Sequence, residues 1–226
     1  MKKERIDSYW EQEIYSKGQH LNRYPFDVVV SFVYRHFPRH KPRAEVDILE
    51  LGSGAGNNLW FAAREGLRVA GIDGSKSAIE FARSRFAEEG LEGDFRVGNF
   101  QELPWPDESF DLAIDRCSLT CGSLSDQRRT VKEVNRVLRP GGIFFYNGYS
   151  DRHTSAHSGT QMPDGRITEI QGGTLAGVEG LCFNSRNDVE SLFAKGWEVL
   201  KKEHLLVEDL ASGGVHAEWR VIVRKI

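Results

Sequence analysis

The chain has 226 residues, of which 39% are hydrophobic and 28% are charged, and these values are typical of a single soluble α/β domain with a modest additional element. The net charge of −3 argues against a nucleic-acid partner, and three cysteines, an odd number, favour a reduced cytoplasmic protein. No apolar run approaches the length of a membrane span, and the first seven residues lack the apolar core of a secretory signal.

A helical segment of about 43 residues precedes the main domain. The first helix is predicted to begin near Tyr9 and to end at Gly18, since glycine commonly follows the last turn of a helix. A second amphipathic helix is predicted from Phe26 to Phe37. The aromatic side chains in this segment either pack against the domain or close over a ligand site. We expect residues 1–43 to act as a lid.

The most informative stretch begins with a short apolar run at residues 46–51, as a buried parallel strand requires. Gly52, Gly54 and Gly56 follow it, and an amphipathic helix comes next. Glycine permits positive φ and a close approach of the backbone to a ligand, so this corner is typical of nucleotide-type binding. Asn57 stands where the dinucleotide fingerprint needs its third glycine, and the lysine of a phosphate-binding P-loop is absent.

Strands and helices continue to alternate after this corner. The pattern predicts strands at 67–72, 94–97, 110–115 and 143–147, with helices at 76–89 and 126–138. A capping box at 185–188 predicts a further helix that ends at Gly196, and two final strands are predicted at 197–206 and 216–224. This order indicates an α/β, doubly wound, Rossmann-like sheet with helices on both faces.

Four features occur in the order found in one enzyme family. They are Glu50 with the glycine loop, Asp73 after the second strand, the Phe-Asp pattern at 110–115 and the Leu-Arg-Pro-Gly-Gly turn at 138–142. At these residues the chain resembles the class I S-adenosylmethionine-dependent methyltransferases. The resemblance implies S-adenosylmethionine as cofactor and a seven-stranded sheet whose last strand is antiparallel.

The resemblance also implies the cofactor contacts. Asp73 is expected to accept two hydrogen bonds from the ribose diol, because a carboxylate has only acceptors and the diol has two donors; it can also cap the next helix. Asn99 stands where the family usually has an acid that bonds the adenine amino group, and Arg23 would pair with the cofactor carboxylate. The predicted cofactor-binding residues are Glu50, Gly52, Ser53, Gly54, Gly56, Asn57, Asp73, Gly74, Ser75, Asn99, Phe100, Asp115, Arg116 and Arg23.

Candidate catalytic groups follow the fourth and fifth strands. Asp115, at a strand end, either faces the transferred methyl group or forms an ion pair with Arg116. The predicted catalytic residues are Asp115, His153 and His157, and His216 is a further candidate base. The spacing of His153 and His157 would allow a shared helix face that binds a metal ion, but no third ligand is evident, so no metal is predicted.

Residues 44–226 are therefore predicted to form a methyltransferase domain, in which an insertion at about 149–184 covers the acceptor. The predicted function is transfer of a methyl group by in-line displacement to a small-molecule acceptor such as a sugar or another metabolite. A cytoplasmic monomer or homodimer without membrane or nucleic-acid contacts is expected. The alternatives are methylation of an RNA or a protein side chain, and a catalytically silent protein that binds the cofactor or a partner.

Overall fold

A computed structural model describes residues 9–226 of the protein, so the first eight residues of the predicted lid lie outside it. The helices are α1 (Asp27–His36), α2 (Asn57–Arg64), α3 (Lys76–Glu88), α4 (Leu124–Val137) and α5 (Arg186–Leu192). The strands are β1 (Asp47–Leu51), β2 (Arg68–Asp73), β3 (Asp94–Val97), β4 (Phe110–Arg116), β5 (Leu138–Tyr149), β6 (Thr160–Gln161), β7 (Ile167–Thr168), β8 (Trp197–Asp209) and β9 (Gly214–Lys225).

The main sheet has seven strands in the order β3-β2-β1-β4-β5-β9-β8. β2 pairs parallel with both β1 and β3, whereas β8 and β9 pair antiparallel. The predicted seven-stranded Rossmann-like sheet with an antiparallel last strand is confirmed. β1 is buried as a central parallel strand requires, and its residues Ile48, Leu49 and Leu51 have no exposed surface.

Two compact units divide the chain. The first unit, called unit 1, contains the chain up to Ile114 together with Arg136–Ile143, and the second, called unit 2, contains Asp115–Asn135 and Phe144–Ile226. Unit 1 therefore holds the glycine loop, and unit 2 holds the insertion and the β8–β9 hairpin. None of the described helices is long and apolar enough to cross a membrane.

The N-terminal helix of unit 1 differs in kind from the prediction. A turn of π-helix at Trp10–Ile14 runs into a 3₁₀ turn at Tyr15–Lys17, where a single α-helix was expected. Its predicted end is confirmed, because Gly18 has a left-handed conformation with φ 71° that the helix cannot continue through. α1 matches its predicted range to within one residue at each end.

The Leu-Arg-Pro-Gly-Gly segment was predicted as a turn between a helix and a strand, but β5 already begins at Leu138. Arg139 explains this difference, since its guanidinium binds Asp47 at 2.9 Å and Asp111 at 2.8 Å. Lys41 also pairs with Asp111. These ion pairs within unit 1 fix Arg139 beside β1 and β4, although Gly141 keeps the left-handed backbone of a turn, with φ 76°.

The insertion of unit 2, residues 149–184, for which no helix or strand was predicted, contains a 3₁₀ turn at Thr154–His157 and the short antiparallel β6–β7 hairpin. The capping box that opens α5 is confirmed, because Ser185 Oγ accepts from the Asp188 backbone N–H and Asp188 accepts in return from the Ser185 N–H. α5 ends at Leu192, earlier than the predicted Gly196.

Candidate active site

The glycine loop of unit 1 has left-handed backbone at each of its glycines, with φ 61° at Gly52, 49° at Gly54 and 73° at Gly56. Tyr15 lies directly against the loop, since a Cβ added to Gly54 would meet the Tyr15 hydroxyl at 2.6 Å. The Gly54 backbone N–H donates to Asp73 Oδ2 at 2.8 Å. Both φ and the close contact therefore require glycine at this position.

Asp73 is the carboxylate at the centre of this corner. Its Oδ2 faces the glycine loop and its Oδ1 accepts from the Ser75 backbone N–H at 2.8 Å. Only 8% of the residue is exposed, and burial is the main reason that its pKa is raised, with a smaller contribution from Glu11. Each oxygen accepts one hydrogen bond from the backbone, which leaves a lone pair on each for a ribose hydroxyl.

Ser75 caps α3, because its hydroxyl oxygen accepts from the Ala78 backbone N–H at 3.0 Å. The Ser75 hydroxyl in turn donates to Glu11 Oε2 at 2.5 Å. Glu11 also accepts from the Ser77 backbone N–H at 3.1 Å and from the Ser77 hydroxyl at 2.8 Å. The hydrogen bond from Ser75 is the main reason that the pKa of Glu11 is lowered. An acidic side chain of the N-terminal segment is thus bound at the positive end of α3.

Two asparagines after the loop join it to the N-terminal segment. Asn57 Nδ2 donates to the Tyr24 carbonyl at 2.9 Å, and Asn58 Oδ1 accepts from the Phe26 backbone N–H at 3.0 Å. Asn58 Nδ2 donates to Glu50 Oε1 at 2.6 Å, and Glu50 is 2% exposed. Sequence reasoning missed Asn58 and Glu11, because no local pattern distinguishes them from other polar residues on a helix face.

The residues predicted to contact the adenine, Asn99 and Phe100, follow the strand next to Asp73. Arg23, predicted to bind the cofactor carboxylate, lies apart from this corner. The Gly98 backbone N–H donates to the Asp73 carbonyl at 2.9 Å. Asn99 is the next residue along the chain, so it follows the residue that is bonded to Asp73. Asn99 Oδ1 accepts from the Gln101 backbone N–H at 2.9 Å, and Phe100 is half-buried. Arg23 lies over the Phe81 ring at 6.0 Å. The described contacts thus join Gly54, Asp73 and Ser75 to Glu11, whereas Glu50 and Asn57 belong to the contacts between α2 and the residues near Tyr24 and Phe26. Arg23 takes part in neither group of hydrogen bonds described here.

Asp115 is fully buried in unit 2, where its Oδ1 accepts from the backbone N–H groups of Ser118 at 2.9 Å and Leu119 at 3.0 Å. Burial raises the pKa of Asp115 to about 7. Arg116 Nη2 lies 4.0 Å from Glu218. Asp115 therefore fastens the turn after β4, and burial favours its protonated form more than in an exposed aspartate.

His153 and His157 occupy opposite ends of one 3₁₀ turn. His153 is fully buried and its Nδ1 accepts from the Ser155 backbone N–H at 3.0 Å, whereas His157 is exposed. The predicted shared helix face is wrong, because His153 precedes the turn with extended backbone. Burial and the neighbouring His216 lower the pKa of His153 to about 4. Among residues 9–226, no three histidine, cysteine or carboxylate side chains are grouped so that they could bind a metal ion.

Glu218 is a further buried carboxylate of unit 2, only 1% exposed. It lies 2.6 Å from Arg220 Nε and 3.4 Å from His216 Nε2. Despite burial, these hydrogen bonds and the nearby Arg116 lower the pKa of Glu218 to about 2. Sequence reasoning named His216 but missed Glu218; the signal was the alternation of His216, Glu218 and Arg220 on one face of a strand.

Comparison with known proteins decides what kind of domain carries the glycine corner. Residues 48–142 match the model of a family described as a methyltransferase domain. The matched range contains the glycine loop, Asp73 and the Leu-Arg-Pro-Gly-Gly segment. Residues 48–142 therefore form a methyltransferase domain, which is similar to those of the class I S-adenosylmethionine-dependent methyltransferases. Methyltransferases of this family use S-adenosylmethionine, so the resemblance inferred from the sequence is confirmed.

Curated relatives share this methyltransferase region. The chain is 37% identical to the uncharacterized methyltransferase YcgJ of Bacillus subtilis over 103 residues, which is 45% of this chain and 40% of that protein. It is 33% identical to the fatty-acid O-methyltransferase of Mycolicibacterium smegmatis over 145 residues, covering 61% of this chain and 48% of the relative. The chain thus spans less than half the length of each of these relatives.

A solved structure extends the likeness in fold beyond the matched region. The structure of a SAM-dependent methyltransferase from Methanosarcina mazei has a TM-score of 0.68 to this protein. The two are 22% identical, and the superposition covers 86% of this chain and 97% of the other. The methyltransferase fold therefore includes most of the chain, although identity at this level shows the fold alone.

Proposed function

We propose that the protein transfers a methyl group from S-adenosylmethionine to a small-molecule acceptor. The observation that carries this proposal is Asp73, a buried carboxylate held by the backbone N–H groups of Gly54 and Ser75 at the end of a parallel strand. When bound, the cofactor supplies a methyl group on a sulfonium centre, which is a good leaving group. The cofactor has no pyrophosphate. The two acidic side chains at the loop, Glu50 and Asp73, suit its positively charged sulfonium better than they suit an anionic ligand.

The proposed division of the cofactor site follows from the contacts of unit 1. Asp73 would bind the ribose diol through the lone pairs that its backbone partners leave, and the loop from Gly52 to Asn57 would lie against the ribose and methionine portions. Asn99 and Phe100, which follow the strand next to Asp73, would contact the adenine. Arg23 for the carboxylate, together with Gly74, Asp115 and Arg116 for other parts of the cofactor, remains a prediction.

We also propose that the N-terminal segment is the lid over this site. Four contacts support the proposal: Tyr15 packs on the loop, Glu11 binds the first turn of α3, and the backbone near Tyr24 and Phe26 binds the asparagines of α2. A segment fastened on both sides of the loop would exclude water from the cofactor.

A small-molecule acceptor is supported by the names of relatives, among them the fatty-acid O-methyltransferase. The acceptor itself is proposed only as a class, and the insertion at 149–184 is proposed to cover it. Cytoplasmic location and a monomeric or homodimeric state stay predictions. An RNA or protein acceptor would call for a positive surface stripe, for which the net charge of −3 gives no support.

Calorimetry with S-adenosylmethionine, S-adenosylhomocysteine and NAD tests the proposal. We expect the two adenosyl ligands to bind and NAD not to bind. Asp73→Ala is expected to weaken S-adenosylhomocysteine binding at least a hundredfold, because the variant loses two charge-assisted hydrogen bonds of about 1.5–3 kcal/mol each. Asp73→Asn keeps the acceptor oxygen for one backbone N–H and distinguishes loss of binding from loss of folding.

Glu92→Ala is the control for this experiment, because Glu92 is an exposed acid of the same unit. It should bind S-adenosylhomocysteine as the wild type does. Binding of NAD alone, or equal binding by wild type and Asp73→Ala, would contradict the proposed function.

A further inference from the structure

A chain of hydrogen-bonding side chains crosses unit 2 between the insertion and β9. His153 Nε2 lies 3.1 Å from Thr174 Oγ1 and 3.2 Å from His216 Nδ1. Thr174 Oγ1 lies 3.4 Å from the same His216 nitrogen, and His216 Nε2 lies 3.4 Å from Glu218 Oε2. We call His153, Thr174, His216 and Glu218 the histidine chain. The proposed cofactor site and lid do not use the histidine chain.

The hydrogen positions in the histidine chain follow from its two ends. Because His153 Nδ1 accepts from the Ser155 backbone N–H, a neutral His153 carries its proton on Nε2. Glu218 only accepts when ionised, so His216 carries its proton on Nε2 and its Nδ1 is an unprotonated acceptor. His153 Nε2–H lies within reach of both the Thr174 hydroxyl and His216 Nδ1, and the Thr174 hydroxyl is a second donor within reach of His216 Nδ1. With these tautomers the basic atom is His216 Nδ1.

The charges around His216 suit a base that gains a proton. Glu218 stays ionised, since its pKa is lowered to about 2, and would stabilise the imidazolium through Nε2–H. His153, with a pKa lowered to about 4, is neutral at pH 7 and does not repel that charge. The edge of the Tyr149 ring also faces His216, with ring centroids 6.2 Å apart, and Arg116 and Arg220 contact Glu218 from its other sides.

His216 is also open to a ligand, which separates it from the rest of the histidine chain. Its side chain is 30% exposed, whereas those of Glu218 and His153 are buried. It lines a cavity of about 410 Å³ together with Thr174, Val207 and Asp209. The Thr174 hydroxyl belongs to the same lining, and it is a hydroxyl donor within reach of His216 Nδ1.

Position along the sheet supports a role for the histidine chain in acceptor chemistry. Arg116 is the last residue of β4 and Tyr149 the last of β5, and both are next to members of the chain. In doubly wound sheets, ligands bind at the carboxyl ends of the strands.

We propose that His216 is the general base for the acceptor, and that the acceptor presents a hydroxyl, which must lose a proton as it is methylated. This inference rests on the proposed function. The acceptor O–H takes the place of the Thr174 hydroxyl at His216 Nδ1, and its proton moves to that nitrogen. The oxygen forms its bond to the methyl carbon as the bond from that carbon to sulfur breaks, and the electron pair of that bond remains on sulfur. The proton on His216 then leaves to water. Glu218 and His153 are positioning residues.

Nuclear magnetic resonance of the histidine ring nitrogens tests the base without an acceptor. At pH 7 we expect His153 and His216 to carry their protons on Nε2. Glu218→Gln should weaken the preference of the His216 proton for Nε2, whereas Glu208→Gln, a change of an exposed acid on β8, should leave it unchanged. A proton on His216 Nδ1 at pH 7, or a tautomer preference unmoved by Glu218→Gln, would overturn the assignment.

Methyl transfer from labelled S-adenosylmethionine to octanol, phenol and octanoic acid then tests the acceptor class. We expect methylation of a hydroxyl and a fall in kcat of about 10²- to 10⁴-fold in His216→Gln, with unchanged S-adenosylhomocysteine affinity. His40→Gln, which changes an exposed histidine of unit 1, is the control.

The outcomes separate the two proposals. A wild type that binds no adenosyl ligand refutes the proposed function. A wild type that methylates only the carboxylate, or a His216→Gln variant that methylates a hydroxyl at the wild-type rate, refutes the general base and leaves the methyltransferase proposal standing. If none of the three probes is methylated, the ring-nitrogen spectra decide the assignment.

Discussion

Asp73 of unit 1 and Glu218 of unit 2 are buried acids in opposite settings. In unit 1, Asp73 is held by backbone N–H groups 19 and 2 residues away along the chain, and both belong to turns that follow strands. In unit 2, Glu218 is held by side chains, and His153 and His216 meet across 63 residues. A binding corner can thus be built from local turns, whereas a poised base needs side chains from distant segments. Asp115 and His153, whose pKa values are shifted to about 7 and about 4, both lie in unit 2, so we expect unit 2 to be the more sensitive of the two units to pH.

The largest expected effect is on Asp115 of unit 2. Its pKa is raised from 3.8 to about 7 in the folded protein, so the folded state binds the proton more tightly than the unfolded chain does. The stabilisation is complete below pH 3.8 and is lost as pH rises to 7, by up to about 4 kcal/mol. Urea unfolding at several pH values should show this slope in the wild type but not in Asp115→Asn. The exposed Asp107→Asn should keep it, and a slope that persists in Asp115→Asn would contradict the prediction.

His153 is expected to give the opposite slope. Its pKa is lowered from 6.5 to about 4 on folding, so the stabilisation is present above pH 6.5 and is lost as pH falls to 4. The expected loss is up to about 3 kcal/mol. His153→Asn keeps an acceptor for the Ser155 N–H and should remove this slope from unfolding curves. His157→Asn, at the exposed end of the same turn, should leave it unchanged. The prediction fails if both variants behave alike.

Substitution of Gly54 in unit 1 should act through backbone strain and steric contact, and not through a change of pKa. Alanine there is strained at φ 49° and its Cβ would meet the Tyr15 hydroxyl, so we expect a loss of about 1–2 kcal/mol in unfolding free energy. S-adenosylhomocysteine affinity should also fall at least tenfold. Gly213→Ala has positive φ but no neighbour within 4 Å, and therefore measures the strain alone. Tyr15→Phe combined with Gly54→Ala should restore part of the affinity, and no rescue would argue against the contact.

The smallest expected effect is at the lid contact of unit 1. Glu11→Gln removes the charge at the start of α3 but keeps an acceptor oxygen. Release of S-adenosylhomocysteine, followed by stopped-flow fluorescence, should become a few-fold faster, in line with the modest energy of a charge at a helix terminus. Glu13→Gln disturbs only an exposed pair with Lys17 and should not change the rate. Equal rates in all three proteins would remove Glu11 from the lid proposal.

Sequence reasoning succeeded where the signal is local. The buried run of β1, the glycine turn and Asp73 lie within 30 residues, and each has a characteristic periodicity or spacing. The capping box at Ser185 and Asp188 was readable for the same reason. Fold class followed from the alternation of such local signals.

It failed where the partner lies far along the chain. Glu11 reaches Ser75 across 64 residues, and Arg139 reaches Asp47 across 92. Neither contact leaves a mark on the neighbouring sequence, so the segment after α4 was expected to lie outside the strand, although β5 already begins at Leu138. Glu218 was missed for the same reason, since its alternation with His216 gains meaning only when Arg116 and His153 are known to be neighbours.

His153 Nδ1 has two roles in the insertion. The same nitrogen accepts the Ser155 N–H that opens a turn and determines where the hydrogen of the opposite nitrogen lies. When acid adds a proton to His153 Nδ1, this nitrogen can no longer accept the Ser155 N–H, and the turn loses that hydrogen bond. The same protonation removes the orientation of the neighbouring His216 ring. Loss of shape and loss of chemistry in the insertion should therefore coincide on an acid titration, as a single reversible transition rather than as two successive ones.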